Sequence, residues 1–391
     1  MPISTVNHGD MQQRMDALVN GYLDRKAFSA CSLGFVAARQ GETCRDAWYY
    51  GTTGFAPGDS AVSGDTCFDL ASLTKPMVTA LAVLLLASSG TVKFDDRLVK
   101  YFPKIASDKA DISLRQLINH TSGLSAHQPY YLELIQLPQE ERRDFLIAKI
   151  LGEKLCNIPG TNCLYSDLGF ILLGWIVEQV SGLPLDRFFE KHILEPLAID
   201  RTQIFFIPQG HTFRLSRQAA QRSFKKQAGH GASGFAATGI CPWSGQVLRG
   251  TVHDDNCRAL GGVAGHAGLF ATLAGTLAWI EGILAELQGK SCRLGLSEEI
   301  LQGFRSRESG SGYIYGFDTP SLLGSSSGRY FFRLSFGHLG FTGTSLWMDL
   351  SRGCGIVLLT NRILAPDGLQ AIKTLRPEVH DLIMGYLASK E

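Results

Sequence analysis

Ser72 and Lys75 stand three residues apart in the stretch Phe68–Met77 (FDLASLTKPM), just ahead of the apolar run Val78–Ala87. If that stretch opens a long buried helix, the spacing puts both side chains on one face, one turn apart, so a hydroxyl and an amine point into the same space. A serine that attacks a carbonyl needs a base for its proton, a positive environment for the oxyanion and a fixed position. A helix start contributes to each, because its free N–H groups and positive dipole end favour developing negative charge and disfavour a protonated amine nearby. Pro76 is compatible with a first helical turn, where its missing N–H has little to bond. A plainer reading fits these few residues equally well: an N-cap serine followed by a solvated lysine.

The elements that would position this pair follow from periodicity. Residues 11–25 have a helical pattern, and Ser32–Arg39 and Ala47–Thr53 read as two strands joined by a Gln-Gly-Glu turn. Ser113–Leu124 reads as a short capped helix that breaks at Gly123, and residues 139–151 are helical by composition. Leu168, Ile171, Leu172, Trp175 and Ile176 keep the 3.6 period up to Gly182, so Tyr165, Ser166 and Asp167 fall where a loop enters a helix. Polar side chains there are either caps or site residues. Residues 207–262 are glycine-rich and aperiodic, Thr272 to about Leu287 is helical, and Arg329–Phe336, Thr344–Leu350 and Gly355–Asn361 are strand-like. A last helix is expected from about Leu375 to Ala388.

Strands at both ends with helices between them predict an α+β fold: an antiparallel sheet completed by the two termini, flanked by helices, with a mostly helical insertion. The corresponding division is residues 1–70 with 290–391 for the sheet domain and 71–289 for the helical one, the site lying at their interface.

Composition narrows the function classes. A chain of 391 residues with a formal net charge of +1 and no basic run argues against nucleic acid or anionic lipid as main partner. The apolar runs near 78–87 and 168–177 read as too short and interrupted to span a bilayer, and Met1–Met15 lacks the pattern of a secretory signal. Nine scattered cysteines without a Cys-x-x-Cys pair predict reduced thiols and a cytoplasmic location. His253 with Asp254 and Asp255 is the nearest approach to a metal cluster, and reads more naturally as a loop cap or substrate-side contact; neither metal nor cofactor is expected.

Four stretches occur in a telling order: Ser72-x-x-Lys75, Leu117–Leu124 (LINHTSGL), Pro159-Gly160 followed by Tyr165-Ser166-Asp167, and Gly337–Thr344 (GHLGFTGT). Together, over roughly residues 30–362, they resemble the penicillin-recognising serine hydrolases, above all the class C β-lactamase-like group, which also holds D-amino-acid peptidases, carboxypeptidases and esterases. Serine-x-x-lysine is a known signature of β-lactamases and penicillin-binding proteins. The resemblance implies Ser72 as nucleophile, Lys75 as the residue that helps deprotonate it, and Tyr165 as the group that passes the proton to the leaving group and later activates water. It implies an oxyanion hole from the backbone N–H groups of Ser72 and Phe341. His338, Leu339 and Gly340 stand where the family usually has lysine, threonine and glycine on the strand lining the site.

Two departures bear on the substrate. Asp167 replaces the usual asparagine, and either holds Lys75 as an ammonium or caps its helix. His338 and Leu339 remove a fixed charge and a hydroxyl that help hold a substrate carboxylate in the family. An imidazole titrating near ~6.5 is mostly neutral at neutral pH, so carboxylate-bearing β-lactams should be poor substrates whose turnover rises as the pH falls. A solvent-facing strand histidine is the alternative. Leu248–Asp255 and Gly261–Phe270 also resemble serine-hydrolase modules linked to muropeptide recycling, or are simply a turn packed beneath the sheet. The expected function is a serine hydrolase acting on a small ester, amide or peptide. The alternatives are a silent ligand-binding relative and a true β-lactamase, and the sequence does not indicate an oligomeric state.

Overall fold

The computed structural model describes residues 8–39, 42–208, 234–306, 312–332 and 334–389. The Gln40–Gly41 turn, residues 209–233 of the glycine-rich region and Arg333 lie outside the described residues. Strands β1 (Ala30–Arg39) and β2 (Glu42–Gly51) precede three short ones, β3 (Phe68–Asp69), β4 (Ile204–Phe206) and β5 (Leu269–Ala271). Then come β6 (Tyr313–Ile314), β7 (Phe317–Asp318), β8 (Ser335–Leu339), β9 (Ser345–Asp349) and β10 (Cys354–Thr360). The order β2-β1-β10-β9-β8-β7-β6 makes a seven-stranded antiparallel sheet, so the two ends of the chain do complete one sheet. β3, β5 and β4 make a second, three-stranded sheet.

The helices that bear on the site are α1 (His8–Asp24), α2 (Leu81–Ser88), α3 (Leu114–Ile118), α4 (Asp167–Ser181), α5 (Asp255–Ala259), α6 (Leu273–Leu287) and α7 (Gly368–Ala388). β9 and β10 are buried along their whole length, which is why Leu346–Met348 and Ile356–Leu359 read as apolar runs rather than alternating ones. Cys31, Leu33 and Phe35 of β1 pack with Met11, Met15 and Val19 of α1 and with Ile372, Leu375 and Val379 of α7. On the opposite face, Leu346, Val357 and Leu359 join a larger core with Leu277, Ile280 and Ile283 of α6 and with the helical layer. Glycine is required where α6 crosses β10, since a β-carbon at Gly355 would lie 2.4 Å from the Ile280 side chain.

Three expectations are corrected. Among the described residues of the stretch Arg329–Phe336, only Ser335 and Phe336 are strand. The aromatic content there serves a loop, with the Phe331 ring 6.2 Å from Trp347 and 6.1 Å edge-on from His380. α7 starts at Gly368 rather than near Leu375 and runs through Pro377, held by Ile372 in the core. Ala71–Ser88 forms one helical stretch of 18 residues, long and apolar enough to cross a bilayer by length and composition, but 78% of it is buried inside the protein as a core helix.

The join between the two ends of the chain has a polar clasp. Asn361, wholly buried just past β10, accepts from the N–H groups of Ser29 at 3.0 Å and Ala30 at 2.8 Å, and donates to Ser29 Oγ at 2.8 Å. Removing it leaves two buried backbone donors without an acceptor, and each such group costs about 1–3 kcal/mol. Asn361→Ala is therefore expected to lower unfolding stability by about 2–4 kcal/mol in urea titrations; a loss below about 0.5 kcal/mol would show that the clasp is dispensable.

Candidate active site

β3 delivers the chain to Ser72. Asp69 pairs with Phe270 of β5, and the Leu70 N–H donates to Leu269 O at 2.9 Å, so the Ser72 turn is fixed against the loop that ends in β5. The Asp69 carboxylate accepts from the N–H groups of Ala71 at 2.8 Å and His253 at 2.7 Å, while burial raises its pKa to about 6. Ala71–Leu73 is a 3-10 turn, with Ala71 at a positive φ of 48°, and Lys75–Ala80 winds as a π-helix before α2 begins. A single regular helix from Ser72 was expected. The difference traces to Pro76, which has no N–H for the Ser72 carbonyl and whose ring would crowd that carbonyl in α geometry.

Lys75 is wholly buried, and its ammonium meets three acceptors: Asp167 Oδ1 at 2.6 Å, Ser72 Oγ at 3.0 Å and His266 O at 3.1 Å. Ser72 itself is half-buried and reachable. Burial alone would discharge the amine, but Asp167 and Tyr165 reverse the balance and hold its pKa above the ordinary lysine value. The Asp167 carboxyl is likewise opposed by burial, yet the Lys75 charge and the His127 contact hold it well below the usual carboxylate range. Of the two readings of Asp167, the ion pair is the one observed. The capping role belongs to Ser166, whose Oγ accepts from the Gly169 N–H at 3.2 Å at the start of α4.

Tyr165 stands over this centre, its ring centroid 4.9 Å from Lys75 Nζ. Burial raises the phenol's pKa, Lys75 lowers it and Asp167 raises it again. Its ring rests on His120 at 4.6 Å, which in turn meets Tyr313 edge-on at 4.5 Å. His120 has a φ of 57° and accepts the Ser166 N–H on Nδ1 at 3.0 Å; burial and the Lys75 charge keep it neutral. His338 lies on the same side of β8, 5.8 Å from the Tyr165 ring. Neither a solvent-facing position nor a titration near neutrality holds for it. It is 2% exposed, and burial, followed by the Lys75 charge, lowers its pKa to about 3. The expected rise in β-lactam turnover as His338 gains a proton above pH 5 is withdrawn.

Past β8 the chain is pressed onto the Ser72 turn. Thr342 Oγ1 donates to Asp69 O at 2.7 Å and Thr344 Oγ1 to Leu70 O at 3.2 Å, while a β-carbon at Gly340 would lie 2.7 Å from Leu70 O. The Phe341 backbone is thereby held beside the turn, and its exposed ring sits 5.5 Å from that of His253 and 4.6 Å from the Arg362 guanidinium.

The Gly261–Phe270 loop is part of the site rather than padding. Gly265 O accepts from Thr79 Oγ1 at 2.7 Å, and the next carbonyl, His266 O, holds Lys75. Asp254 accepts the His266 Nε2–H at 2.8 Å and caps α5 through the Cys257 N–H at 2.7 Å. Sequence reasoning paired Asp254 with its neighbours; the structure instead turns His253 toward Phe341 and Asp255 toward Arg258. Among the described residues, His127, Asp167 and Asp254 offer ligand atoms within 4.8 Å of one another, but Asp167 is committed to Lys75 and Asp254 to His266. His120, His127, Tyr313 and His266 were not singled out from sequence. His120 and His266 lay in stretches already marked, Leu117–Leu124 and Gly261–Phe270; His127 and Tyr313 did not.

An antiparallel sheet with a helical layer, and a serine-x-x-lysine turn at their junction, defines a β-lactamase/transpeptidase-like serine hydrolase. The chain belongs to the Beta-lactamase family, whose model matches residues 15–376. It is 28% identical to a protein of Escherichia coli (strain K12) provisionally named a D-alanyl-D-alanine carboxypeptidase, over 77% of this chain and 70% of that one. It is also 28% identical to the N-acetylmuramyl-L-alanine amidase of Bacillus subtilis (strain 168), over 77% and 69%. The solved D-amino acid amidase from Ochrobactrum anthropi SV3 superposes with a TM-score of 0.66 at 19% identity, covering 98% of this chain and all of that one.

The Lys75–Asp167 pair makes stability pH-dependent in a definite direction. A carboxyl held below its unfolded value contributes stability above an unfolded pKa of about 4 and loses it as the pH falls. Asp167→Asn is expected to be less stable than wild type by about 3 kcal/mol at pH 7, with the gap narrowing below about pH 4. Urea unfolding at several pH values checks this, and a gap independent of pH would contradict it.

Proposed function

We propose that Ser72 attacks the carbonyl of an amide or ester and carries the acyl group through a covalent intermediate. The observation that carries this reading is the buried Lys75 ammonium bonded at once to Ser72, Asp167 and His266 beneath a reachable hydroxyl. Because Asp167 keeps Lys75 charged, the Ser72 proton goes to Tyr165, and Lys75 orients Oγ and stabilises the phenolate. The oxyanion is received by the N–H groups of Ser72 and Phe341. Tyr165 returns the proton to the leaving group, then takes one from the water that releases the acid. Lys75 and Tyr165 titrate together, so the activity follows a macroscopic pKa of the pair. Asp167, His338 and Gly340 shape the substrate side. The names of the relatives favour amides and peptides from the cell wall, with simple esters as accessory substrates. Nine cysteines without a disulfide support a reducing compartment such as the cytoplasm.

Incubation of wild type with p-nitrophenyl acetate or a fluorophosphonate should add one acyl or phosphonyl group on the Ser72 peptide by mass spectrometry. Ser72→Ala should lower kcat by at least about a thousandfold while remaining folded; near-normal turnover by folded Ser72→Ala would end the reading.

Tyr165 as the base implies that kcat/KM climbs toward alkaline pH. Since Asp167 raises the Tyr165 pKa and holds Lys75 charged, Asp167→Asn should move that climb to lower pH. A shift to higher pH would mean that neither group accepts the proton.

A further inference from the structure

His338 has one ring nitrogen engaged and one idle. Nδ1 lies 2.8 Å from Leu339 O, and a carbonyl oxygen only accepts, so Nδ1 carries the hydrogen. The ring is neutral: it is 2% exposed, contacts no carboxylate, and faces the Lys75 ammonium, with the Arg376 guanidinium adding repulsion. Nε2 is therefore a bare lone pair, and it is buried without a hydrogen-bond partner among the described residues. The side chain extends from β8 on the face of Phe336, toward the helical layer, with its ring 5.8 Å from Tyr165 and 6.5 Å from Tyr313. The unsatisfied acceptor thus sits beside the reacting centre.

We infer that His338 Nε2 accepts a hydrogen bond from an N–H of the substrate, and that the site selects substrates with a neutral carboxamide at this position over those with a carboxylate. The inference rests on the hydrolase reading of the same site and names its substrate class. A carboxylate offers only lone pairs, so it would face Nε2 with no hydrogen between them and lose its hydration. The Lys75 charge does not rescue it, because Asp167 neutralises that charge at 2.6 Å. A carboxamide of the same shape donates one N–H to Nε2 and relieves a buried orphan. The preference does not titrate through His338. The groups facing that ring are Lys75, Asp167, His120, Tyr165, Tyr313 and Arg376, and His120 is itself held neutral.

The test compares N-acetyl-D-alanyl-D-alanine with its C-terminal carboxamide, as kcat/KM in wild type and His338→Lys, and as Kd on the Ser72→Ala protein, where turnover plays no part. The carboxamide is expected to be favoured by about tenfold or more, in kcat/KM by wild type and in Kd by Ser72→Ala, with a ratio constant from pH 6 to 8.5, and His338→Lys is expected to reverse the kcat/KM preference. A carboxamide that is neither turned over nor bound better than the carboxylate overturns the inference. Should His338→Lys not fold, 15N NMR of the wild-type histidines decides independently. Nε2 should appear as an unprotonated, pyridine-type nitrogen from pH 5.5 to 8.5, and a proton on Nε2 or a titration in that range refutes the assignment. Failure of a fluorophosphonate to label Ser72 would instead strike the hydrolase reading, leaving the Kd and NMR arms to judge His338.

Discussion

A wholly buried ammonium, that of Lys75, is costly to keep, and the structure around it is arranged to hold it. Transferring such an ion from water costs several kcal/mol even after relaxation, and only well-placed acceptors offset that. Lys75 finds them on three separate segments: its own helical turn, the first residue of α4 and the loop before β5. Each must arrive within a few tenths of an ångström. The small β3-β5-β4 sheet fixes one of them, and Gly265 permits another, because a β-carbon there would lie 2.0 Å from Phe170 O. The π-helical turn after Lys75 belongs to the same arrangement, since it lets Pro76 follow the lysine without breaking the core helix.

One fixed charge sets the state of its neighbours. Lys75 and burial together keep His120 and His338 neutral, and Asp167 keeps Lys75 from acting as a free base. Three carboxylates near the centre have partners: Asp167 is held by Lys75, Asp254 by the N–H groups of His266 and Cys257, and Asp69 by the backbone N–H groups of Ala71 and His253, so none is left unpaired. With a carboxylate at Asp167 and a neutral ring at His338, the site carries less positive charge than one with asparagine and lysine at those two positions.

Much of this was legible in the sequence because it is local or ordered along the chain. The Ser72–Lys75 spacing and the loop-to-helix entry at Tyr165–Asp167 stand where their patterns put them, the resemblance supplies the strand that carries His338, and the structure brings Ser72, Lys75, Tyr165 and Asp167 together. What was missed depends on distant pairing or depth. The resemblance puts His338 on a strand but does not say that the rings of Tyr165 and Tyr313 lie beside it. Asp254 finds His266 rather than its neighbour His253 only because the loop folds back. Aromatic residues at 330–332 imitate a strand while packing as a loop, and Pro76, noted as compatible with a first turn, in fact shifts the helix into a different winding.

The clasp at Asn361 and the Thr342 contact with Asp69 have a consequence during synthesis. They join residues separated by 332 and 273 positions, so the nucleophile-bearing turn leaves the ribosome long before its partner strands exist. Contacts of such sequence separation close slowly, because loop entropy is lost before any contact compensates it. Until β8 to β10 arrive, the apolar stretch Ala71–Ser88 has no finished core to enter and is open to aggregation. The reactive centre therefore forms only after the residues of β8 to β10 have been made, so the nucleophile is present long before it is positioned.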